Sequence, residues 1–574
     1  MSVDSKSNQF THSNVERRAS IVYGSVGKQG LFVPKDFLHL GAQQEDSSEQ
    51  NEHEPLLGLP NNQSTKPRRK SSVARELLQQ ERDILINNQI PCDETDDNNI
   101  ALAFEDAVIN KKIKKATPLN ELVALVKSSI PLVMTFLLQN SLSTVSVFSV
   151  GHLGAAELAA VSMGAMTANI SGYATIQGVS TALDTLCPQA FGAKKYHLVG
   201  EYMQKCIALN FVIIAPVLVI WVFFGGEILK HIIPDEDTAV FAGEYLFYLC
   251  PGIPAYIMFE CGKRFLQAQG IYHISTIVLL FAAPCNLVMN LIFVKKFGFI
   301  GAPIAVSINY WIMFLGLLFS TLYISRKSDT DTPMKCWSSL SVRRAFLGWR
   351  NLVSLAIPGW IMLEAEFLAF EILTFMASYL GTRKLAAQAV GLTIASLTYQ
   401  VPFAIGIASS TRIANYLGAG LGESAKTTTK VAICFGFVVS LLNFFTLYIF
   451  QMPIAELFTK DPKVIEIIHD IMWLVALMQI SDSMNANSAG CLRGQGQTKI
   501  GGIVNLVSYY VIGIPMSIYL SFFSPWKGSL DGLWIGTTTA LTIIAVVQTY
   551  CSLHVDFDYL CDQARKRTSE SLLF

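Results

Sequence analysis

The chain has 574 residues, of which 51% are hydrophobic and only 15% are charged. With a mean hydropathy of +0.41, this composition excludes an ordinary soluble protein, because a soluble chain of this length needs charged surfaces for several domains. The formal net charge is +0, and no basic stripe supplies the electrostatic footprint of a nucleic-acid-binding protein. We therefore expect a multispanning membrane protein without a nucleic-acid partner.

Residues 1–118 are polar and lack a long apolar run, which is typical of a disordered cytoplasmic tail. Two short segments, 17–20 (RRAS) and 68–71 (RRKS), fit the pattern of basophilic kinase sites. The segment 52–57 (EHEPLL) resembles an acidic dileucine sorting signal. These patterns predict kinase and sorting-adaptor contacts and favour a vacuolar or lysosome-like membrane, with the plasma membrane as the alternative.

Apolar stretches long enough to cross a bilayer recur from residue 119 onward, and they must be helical because lipid cannot satisfy an open backbone. We count twelve spans, at 120–150, 156–183, 202–225, 239–260, 271–294, 299–324, 351–380, 386–411, 427–450, 464–489, 498–521 and 530–553. The distribution of Lys and Arg among the loops places both termini in the cytoplasm. The predicted organisation is a six-helix lobe at 119–324, a cytoplasmic linker at 325–350, a second six-helix lobe at 351–553 and a cytoplasmic tail at 554–574.

The two halves share landmarks at a spacing of about 227 residues, which indicates an internal duplication. Pro131 falls on Pro358, and Gln269-Gly270 falls near Gln495-Gly496. Each repeat holds an even number of spans, so the halves insert in the same direction and are related by an axis along the membrane normal. This arrangement is typical of a transporter with its site between two lobes.

The motifs within the repeats resemble those of the multidrug and toxic compound extrusion (MATE) family, particularly its eukaryotic branch. The resemblance rests on GHLG with ELAA at 151–160, DTL with QAFGA at 184–193, LAAQ at 385–388, LGAG at 417–420 and LRGQG at 492–496. It implies a V-shaped, all-α bundle of two pseudo-symmetric six-helix lobes. The implied activity is antiport of organic cations, drugs or amphipathic metabolites against protons or sodium, with no cofactor beyond the coupling ion.

Span seven contains three carboxylates, Glu364, Glu366 and Glu371. Ionised acids at membrane depth are costly and usually serve an ion or proton pathway. At about 100° per residue, Glu364 and Glu371 share one side of the helix to within roughly 20°, whereas Glu366 projects elsewhere. The family resemblance matches Glu366 and Glu371 to the acidic pair of eukaryotic members and implies proton and cation binding. The alternative is that some of these acids lie at the mouth of the cavity and are only solvated.

Other polar residues in the spans are candidates for substrate contact, because aromatic faces hold organic cations and amides hydrogen-bond to them. These are Gln388, Tyr399, Asn505, Tyr509 and Tyr510. Tyrosine and asparagine also fasten helices to one another, so a structural role is the alternative for each. Asp184 and Arg412 are interpreted as structural salt links or loop anchors. Ser146 stands where many prokaryotic MATE proteins have an aspartate, so we do not expect an amino-lobe cation site of that kind.

The residues also argue against other classes of protein. No Walker A sequence, HExxH motif or CxxC pair is present, and no nucleophile lies near a base, so we expect neither an ATPase nor a metal-dependent enzyme. A lipid or lipid-linked-sugar flippase of the wider superfamily stays open as an alternative, although the spans are acidic rather than basic. A multispanning enzyme and a scaffold are the less favoured alternatives. An enzyme should show clustered His and Asp or a nucleophile beside its base near a membrane face, and a scaffold leaves the buried acids and the duplication unexplained.

Overall fold

The computed structural model describes residues 117–570 apart from short gaps, together with Arg82, Leu85 and Ala103. The gaps fall at 151–152, 154, 233–235, 328–332, 338, 459–461 and 526–527. The regular elements of these residues are helices. The first half contains α1 (Pro118–Val150), α2 (Ala155–Ala168), a π-helical turn (Asn169–Ala174), α3 (Thr175–Ser180), α4 (Leu183–Gly192), α5 (Tyr196–Phe223), α6 (Gly225–Ile232), α7 (Glu236–Leu249), α8 (Ile253–Ala268), α9 (His273–Phe297) and α10 (Gly301–Lys327).

The second half follows a short linker helix and repeats the same plan. The linker helix is α11 (Val342–Ala345). The second half then contains α12 (Arg350–Ser378), α13 (Thr382–Gly418), α14 (Gly422–Ile449), α15 (Gln451–Phe458), α16 (Pro462–Gln495), α17 (Thr498–Leu506), a π-helical segment (Val507–Gly513), α18 (Ile514–Ile518), a second π-helical segment (Tyr519–Phe523), α19 (Asp531–His554) and α20 (Phe557–Glu570).

Nine segments within the described residues are long and apolar enough to cross a membrane. One of them, His273–Arg326, holds the two successive helices α9 and α10. Two further crossings are divided into shorter helices, α2 to α4 and α7 with α8, so neither forms a single long apolar helix. Together these segments account for the twelve predicted spans.

The repeated Gln-Gly pairs are helix ends. Gly270 and Gly496 follow the last turns of α8 and α16 with φ of 74° and 70°, a left-handed conformation that glycine adopts without a steric penalty. The backbone N–H of Ile271 donates to the Leu266 carbonyl, and that of Gln497 donates to the Leu492 carbonyl. The duplication therefore preserves the device that ends the fourth crossing of each lobe.

Three clusters of buried apolar side chains organise the bundle. One fills the amino-terminal lobe around Tyr245 and Phe259, and another fills the carboxy-terminal lobe around Met472 and Trp534. The third joins Leu125 and Leu132 of α1 to side chains of α13, α14 and α20. The third cluster lies between the lobes, on the side of the bundle that carries α20, which we call the α20 face.

The lobes meet closely at the α20 face. A Cβ atom at Gly192, the last residue of α4, would overlap the Asn415 carbonyl oxygen of α13, so the two helix ends cross where glycine allows backbone contact. The Nη2 of Arg567 in α20 donates to the Gly496 carbonyl at 3.3 Å, and its Nη1 donates to Gln189 Oε1 at 3.4 Å. The bundle is therefore closed at this face by direct contact between both lobes and α20.

The predicted tail falls almost entirely outside the described residues, including both kinase patterns and the dileucine pattern. Leu85 is described, is fully buried and belongs to the cluster between the lobes. At this position the amino-terminal segment packs against the helices.

Candidate ion and substrate site

Glu366 is the centre of a polar cluster inside the carboxy-terminal lobe. It projects from α12, and the Nδ2 of Asn485 in α16 donates to its Oε2 at 3.4 Å. The hydroxyl of Tyr399 in α13 lies within electrostatic range of the same carboxylate. Side chains of α13 and α16 thus converge on an acid of α12.

Asp482 is a second acid in this cluster, which our sequence analysis missed. It lies three residues before Asn485 on α16, so the two side chains share one side of that helix. Its side chain is buried, its Oδ1 has no hydrogen-bond partner among the described residues, and it lies close enough to Glu366 for the two charges to interact. Two carboxylates in a desolvated site repel each other when both are ionised, so the pair is suited to hold a proton or a cation.

Arg493 of α16 is a buried cation within electrostatic reach of Glu366. It is 2% exposed, and its guanidinium carbon lies 5.6 Å from the centre of the Phe403 ring. Phe403 in turn stacks on Tyr399, with ring centres 5.6 Å apart. In the sequence, Arg493 stands out only as part of the LRGQG motif at 492–496, and this pattern does not predict its place beside the acids.

The three predicted tyrosines have different surroundings. Tyr399 belongs to the Glu366 cluster. Tyr509 is buried within electrostatic range of Glu366 and Asp482, and its hydroxyl has no hydrogen-bond partner in the described part of the chain. Tyr510 is half-buried and donates to the Ala365 carbonyl at 3.3 Å. Consecutive tyrosines of the π-helical segment Val507–Gly513 are therefore used differently, one beside the acids and one against the α12 backbone.

Glu364, Glu366 and Glu371 are all half-buried, and of the three it is Glu366 whose carboxylate accepts a hydrogen bond from Asn485 of α16. Glu364 lies near Tyr510. The helical geometry expected from the sequence is consistent with this division, since only Glu366 turns into the cluster with α13 and α16. A role for Glu364 and Glu371 in coupling stays a prediction.

The two predicted amide residues are buried. Asn505 Nδ2 donates to the Met362 carbonyl at 2.9 Å, and Asn505 Oδ1 accepts from Gln548 Nε2 at 2.7 Å. Both ends of the Asn505 side chain thus fasten α17 to α12 and α19, which is the structural alternative raised above. Gln388 is buried with an unpartnered Oε1 in the described residues. Substrate contact by either residue stays a prediction.

The amino-terminal lobe contains acids that are already paired with cations of the chain. Glu260 accepts from Lys263 at 2.8 Å and forms a close ion pair with Arg264. Arg264 Nε also lies 3.3 Å from Asp184 Oδ1. The salt link expected for Asp184 is confirmed, and this cluster of two acids and two bases balances its own charge. Ser146 is buried and donates to the Leu142 carbonyl at 3.3 Å.

The salt link expected for Arg412 is also confirmed. Its Nε and Nη2 donate to the two carboxylate oxygens of Glu121 at 2.9 and 2.8 Å. Tyr416 and Thr428 donate to the same carboxylate at 2.6 and 2.9 Å. This network joins the start of α1 to α13 and α14 of the other lobe. In the residues described here, no group of three or more His, Cys, Asp or Glu side chains is arranged to hold a metal ion.

A model of the MatE family matches the chain twice, over residues 131–292 and 358–519. The second match begins 227 residues after the first, which confirms the predicted duplication. The chain belongs to the MATE family. Its described architecture agrees with the V-shaped, twelve-helix fold of MATE structures, so the predicted fold class is confirmed. This MATE protein is accordingly a multi-pass membrane protein and a secondary transporter, not an enzyme.

Relatives of this MATE chain come from fungi, plants and animals. It is 44% identical over 449 residues to an uncharacterized transporter of Saccharomyces cerevisiae, with coverage of 78% of this chain and 63% of the relative. The chain thus spans less than two thirds of that yeast protein. It is 39% identical to an uncharacterized transporter of Schizosaccharomyces pombe, covering 79% of this chain and 82% of the relative. It is 32% identical to multidrug and toxin extrusion protein 2 of Mus musculus, covering 78% and 77% of the two chains.

Solved structures share the fold. The crystal structure of the eukaryotic MATE transporter AtDTX14 aligns with a TM-score of 0.71 at 28% identity, covering 79% of this chain and 99% of that chain. The Vibrio cholerae MATE transporter VcmN in its bent form aligns with a TM-score of 0.65 at 17% identity, covering 78% of this chain and 99% of that chain. At that identity the second likeness concerns the fold alone.

Proposed function

We propose that this MATE protein is a proton-coupled antiporter that exports or sequesters organic cations, drugs or amphipathic metabolites. The observation that carries the proposal is the acid pair inside one lobe, in which the half-buried Glu366 and the buried Asp482 lie beside Tyr399 and Asn485. Intramembrane acids with defined partners are functional by default, because their burial is otherwise costly. We infer that a proton and the cationic solute compete for this pair.

The competition gives the direction of exchange. A proton arriving from the far side neutralises Glu366, which removes the charge that holds a cationic solute and so favours its release there. The protein then returns the proton to the cytoplasm. A tenfold change in an equilibrium corresponds to about 1.4 kcal/mol, so a gradient of two pH units would sustain roughly a hundredfold accumulation per proton exchanged.

The solute would lie between the acid pair and the aromatic side chains at the junction of the lobes. Phe136 of α1 and Phe403 of α13 meet edge to face with ring centres 4.9 Å apart, and Tyr399 stacks on Phe403. Aromatic faces attract organic cations by about 0.5–2 kcal/mol and tolerate many shapes. The half-buried Glu364, Glu371 and Tyr510 would extend this surface. The name of the mouse relative, which refers to multidrug and toxin extrusion, supports this class of solute.

The orientation follows from the charge distribution. We propose that the α20 face is cytoplasmic, since α20 carries the basic run Arg565-Lys566-Arg567 and the amino-terminal segment packs at the same face through Leu85. The polar tail would then be available to kinases and sorting adaptors, and the 52–57 pattern favours a vacuolar or lysosome-like membrane.

The test uses the purified full chain in sealed liposomes with a fluorescent organic cation, under an imposed pH gradient and, separately, an imposed sodium gradient. We expect flux under the pH gradient, and loss of that flux in Glu366→Gln, Glu371→Gln and Asp482→Asn. The matched control is Glu466→Gln, which removes an exposed acid from the same helix as Asp482 and should leave flux unchanged.

Each other outcome has a definite meaning. Flux driven only by sodium would replace the proton by sodium at the same acids. Flux under neither gradient would overturn the antiport proposal and favour a flippase. Proton-driven flux that survives both Glu366→Gln and Asp482→Asn would show that the acid pair is not the coupling site.

A further inference from the structure

Arg493 carries a buried guanidinium that is only partly satisfied by the described residues. The side chain is 2% exposed, and neither its Nε nor its Nη2 has a partner among the residues that the structure describes. Its closest ring contact is Phe403, over which the guanidinium lies. An isolated buried cation is strongly unfavourable, so its burial depends on the charges that surround it.

One acid of each lobe lies within electrostatic reach of this guanidinium. Asp184 of α4 belongs to the amino-terminal lobe, and Glu366 of α12 belongs to the carboxy-terminal lobe. Hydrogen bonds from side chains to backbone carbonyls join α4 to α16 and α13 here: the Thr185 hydroxyl donates to the Arg493 carbonyl at 2.5 Å, and the Ser410 hydroxyl donates to the Asp184 carbonyl at 3.4 Å. Arg493 therefore lies at the seam between the lobes, on the way from the acid pair to the α20 face.

The charges on the amino-lobe side are already balanced. Asp184 faces Arg264, and the other charged groups packed near it are Glu260 and Lys263 of α8. These two acids and two bases sum to zero when all are ionised. The negative charge of Asp184 is consequently shared between Arg264 and Arg493. Its Oδ2 has no hydrogen-bond partner in the described part of the chain.

The balancing charge for Arg493 must then come from the carboxy-lobe side. The titratable groups around Glu366 are Tyr399 of α13, Asp482 of α16 and Tyr509 of the π-helical segment. Of the two carboxylates, Glu366 is the one within electrostatic reach of Arg493, and the Tyr399 hydroxyl lies within its reach as well. Neutralising Glu366 would leave the guanidinium buried against a carboxylate that Arg264 already holds.

We propose that Arg493 is a positioning residue that makes closure of the α20 face depend on the charge of Glu366. While Glu366 is ionised, the closed seam keeps Arg493 between two acids and is stable. When Glu366 takes up a proton, burial of Arg493 becomes unfavourable, and separation of α4 from α16 lets water reach the guanidinium. The inference rests on the proposed proton coupling and adds how protonation in one lobe reaches the contact between both lobes.

The test measures opening of the seam directly. Amide hydrogen exchange of the full chain in lipid nanodiscs is followed by mass spectrometry in peptides covering 183–192 and 486–495, at pH 5.5 and pH 8, with each rate corrected by an unstructured peptide. We expect faster corrected exchange at the lower pH in the unmodified protein, and fast exchange at both pH values in Glu366→Gln. Arg493→Gln should lose the pH difference and stay slow at both values.

Two further variants separate charge from packing. Arg493→Lys keeps the positive charge and should therefore show the pH difference that Arg493→Gln loses. If Arg493 acted only through packing, the lysine variant would lose the difference as well. Thr185→Val removes the neighbouring hydrogen bond without changing a charge and should also retain the difference. A pH difference that persists in Arg493→Gln, or faster exchange at high pH in the unmodified protein, would overturn the inference.

The outcomes distinguish this inference from the proposed function. Proton-driven flux that requires Glu366, combined with no pH-dependent exchange at the seam, would overturn the role of Arg493 alone. Absence of any flux under a pH gradient would overturn the proton coupling on which the inference rests.

Discussion

The network around Glu121 permits a quantitative prediction, because both charged partners are almost completely buried. Glu121 is 1% exposed and Arg412 is 3% exposed, and the carboxylate accepts from two nitrogens of Arg412 and from the hydroxyls of Tyr416 and Thr428. Arg412→Met would leave the carboxylate buried without its cation. Removing one partner of a buried ion pair costs about 3–5 kcal/mol, so we expect a loss of that size in the free energy of unfolding.

The double variant sharpens this prediction. Glu121→Met combined with Arg412→Met removes both charges at once, and apolar replacement of a complete buried pair is often neutral. The remaining cost is then the loss of the two hydroxyl bonds to the carboxylate, about 1.5–3 kcal/mol each for bonds to a charged group. The Thr428 hydroxyl keeps its bond to the Ser424 carbonyl at 3.0 Å. We therefore expect the double variant to be less destabilised than the sum of the two single variants, with a coupling of several kcal/mol.

The assay is equilibrium unfolding in mixed micelles, followed by tryptophan fluorescence, on the two single variants and the double variant. Arg343→Met removes an exposed arginine of α11 and serves as the control, for which we expect a change within about 0.5 kcal/mol. The reasoning would be refuted if the losses of unfolding free energy in the two single variants simply added up in the double variant. It would also be refuted if Arg412→Met cost less than about 1 kcal/mol, which is the size expected for a surface ion pair.

Three further predictions concern the packing of the bundle. Gly418→Ala places a Cβ atom against a backbone carbonyl of α4 and should lower stability by about 1–3 kcal/mol in a thermal unfolding assay; an unchanged midpoint would show that α4 and α13 separate without cost. Asn505→Leu removes the bond to the Met362 carbonyl and should cost about 1–3 kcal/mol in unfolding while proton-driven flux per folded molecule is retained, and selective loss of flux would instead indicate substrate contact. Burial raises the pKa of the Cys561 thiol to about 12, so maleimide should label it slowly at neutral pH. Arg567→Ala removes two hydrogen bonds of a charged group, each worth about 1.5–3 kcal/mol, and should speed that labelling at least about tenfold in peptide-resolved mass spectrometry; an unchanged rate would show that Arg567 does not hold α20 in place.

Of the acid pair, Glu366 was predicted from the sequence and Asp482 was not. Glu366 was selected because ionisable residues inside an apolar span are rare and costly. The same rule applies to Asp482 within the span predicted at 464–489, and it would have selected that residue as well. Its partnership with Glu366 was not accessible from the sequence, since helices separated by about a hundred residues are brought together only by packing.

The interpretation of single polar residues was less certain for the same reason. Tyr399 and Asn505 were both candidates for substrate contact, and the sequence offered fastening of helices as the alternative for each. The structure places Tyr399 beside Glu366, whereas both ends of Asn505 are bonded to neighbouring helices. The periodicity of a helix predicts which residues share one face. It does not predict which other helix packs against that face.

The sequence by itself determined that this protein crosses the membrane in twelve helical segments and that its halves are duplicated. Both properties are local or periodic, because each span must be about twenty apolar residues long and each repeat keeps its own helix ends. Only the tertiary structure decided which charges meet. Arg412 pairs with Glu121, 291 residues away, and Arg493 lies between acids of different lobes. The sequence does not reveal these meetings because electrostatic energy depends on separation and burial in three dimensions, and both are set by how the lobes pack.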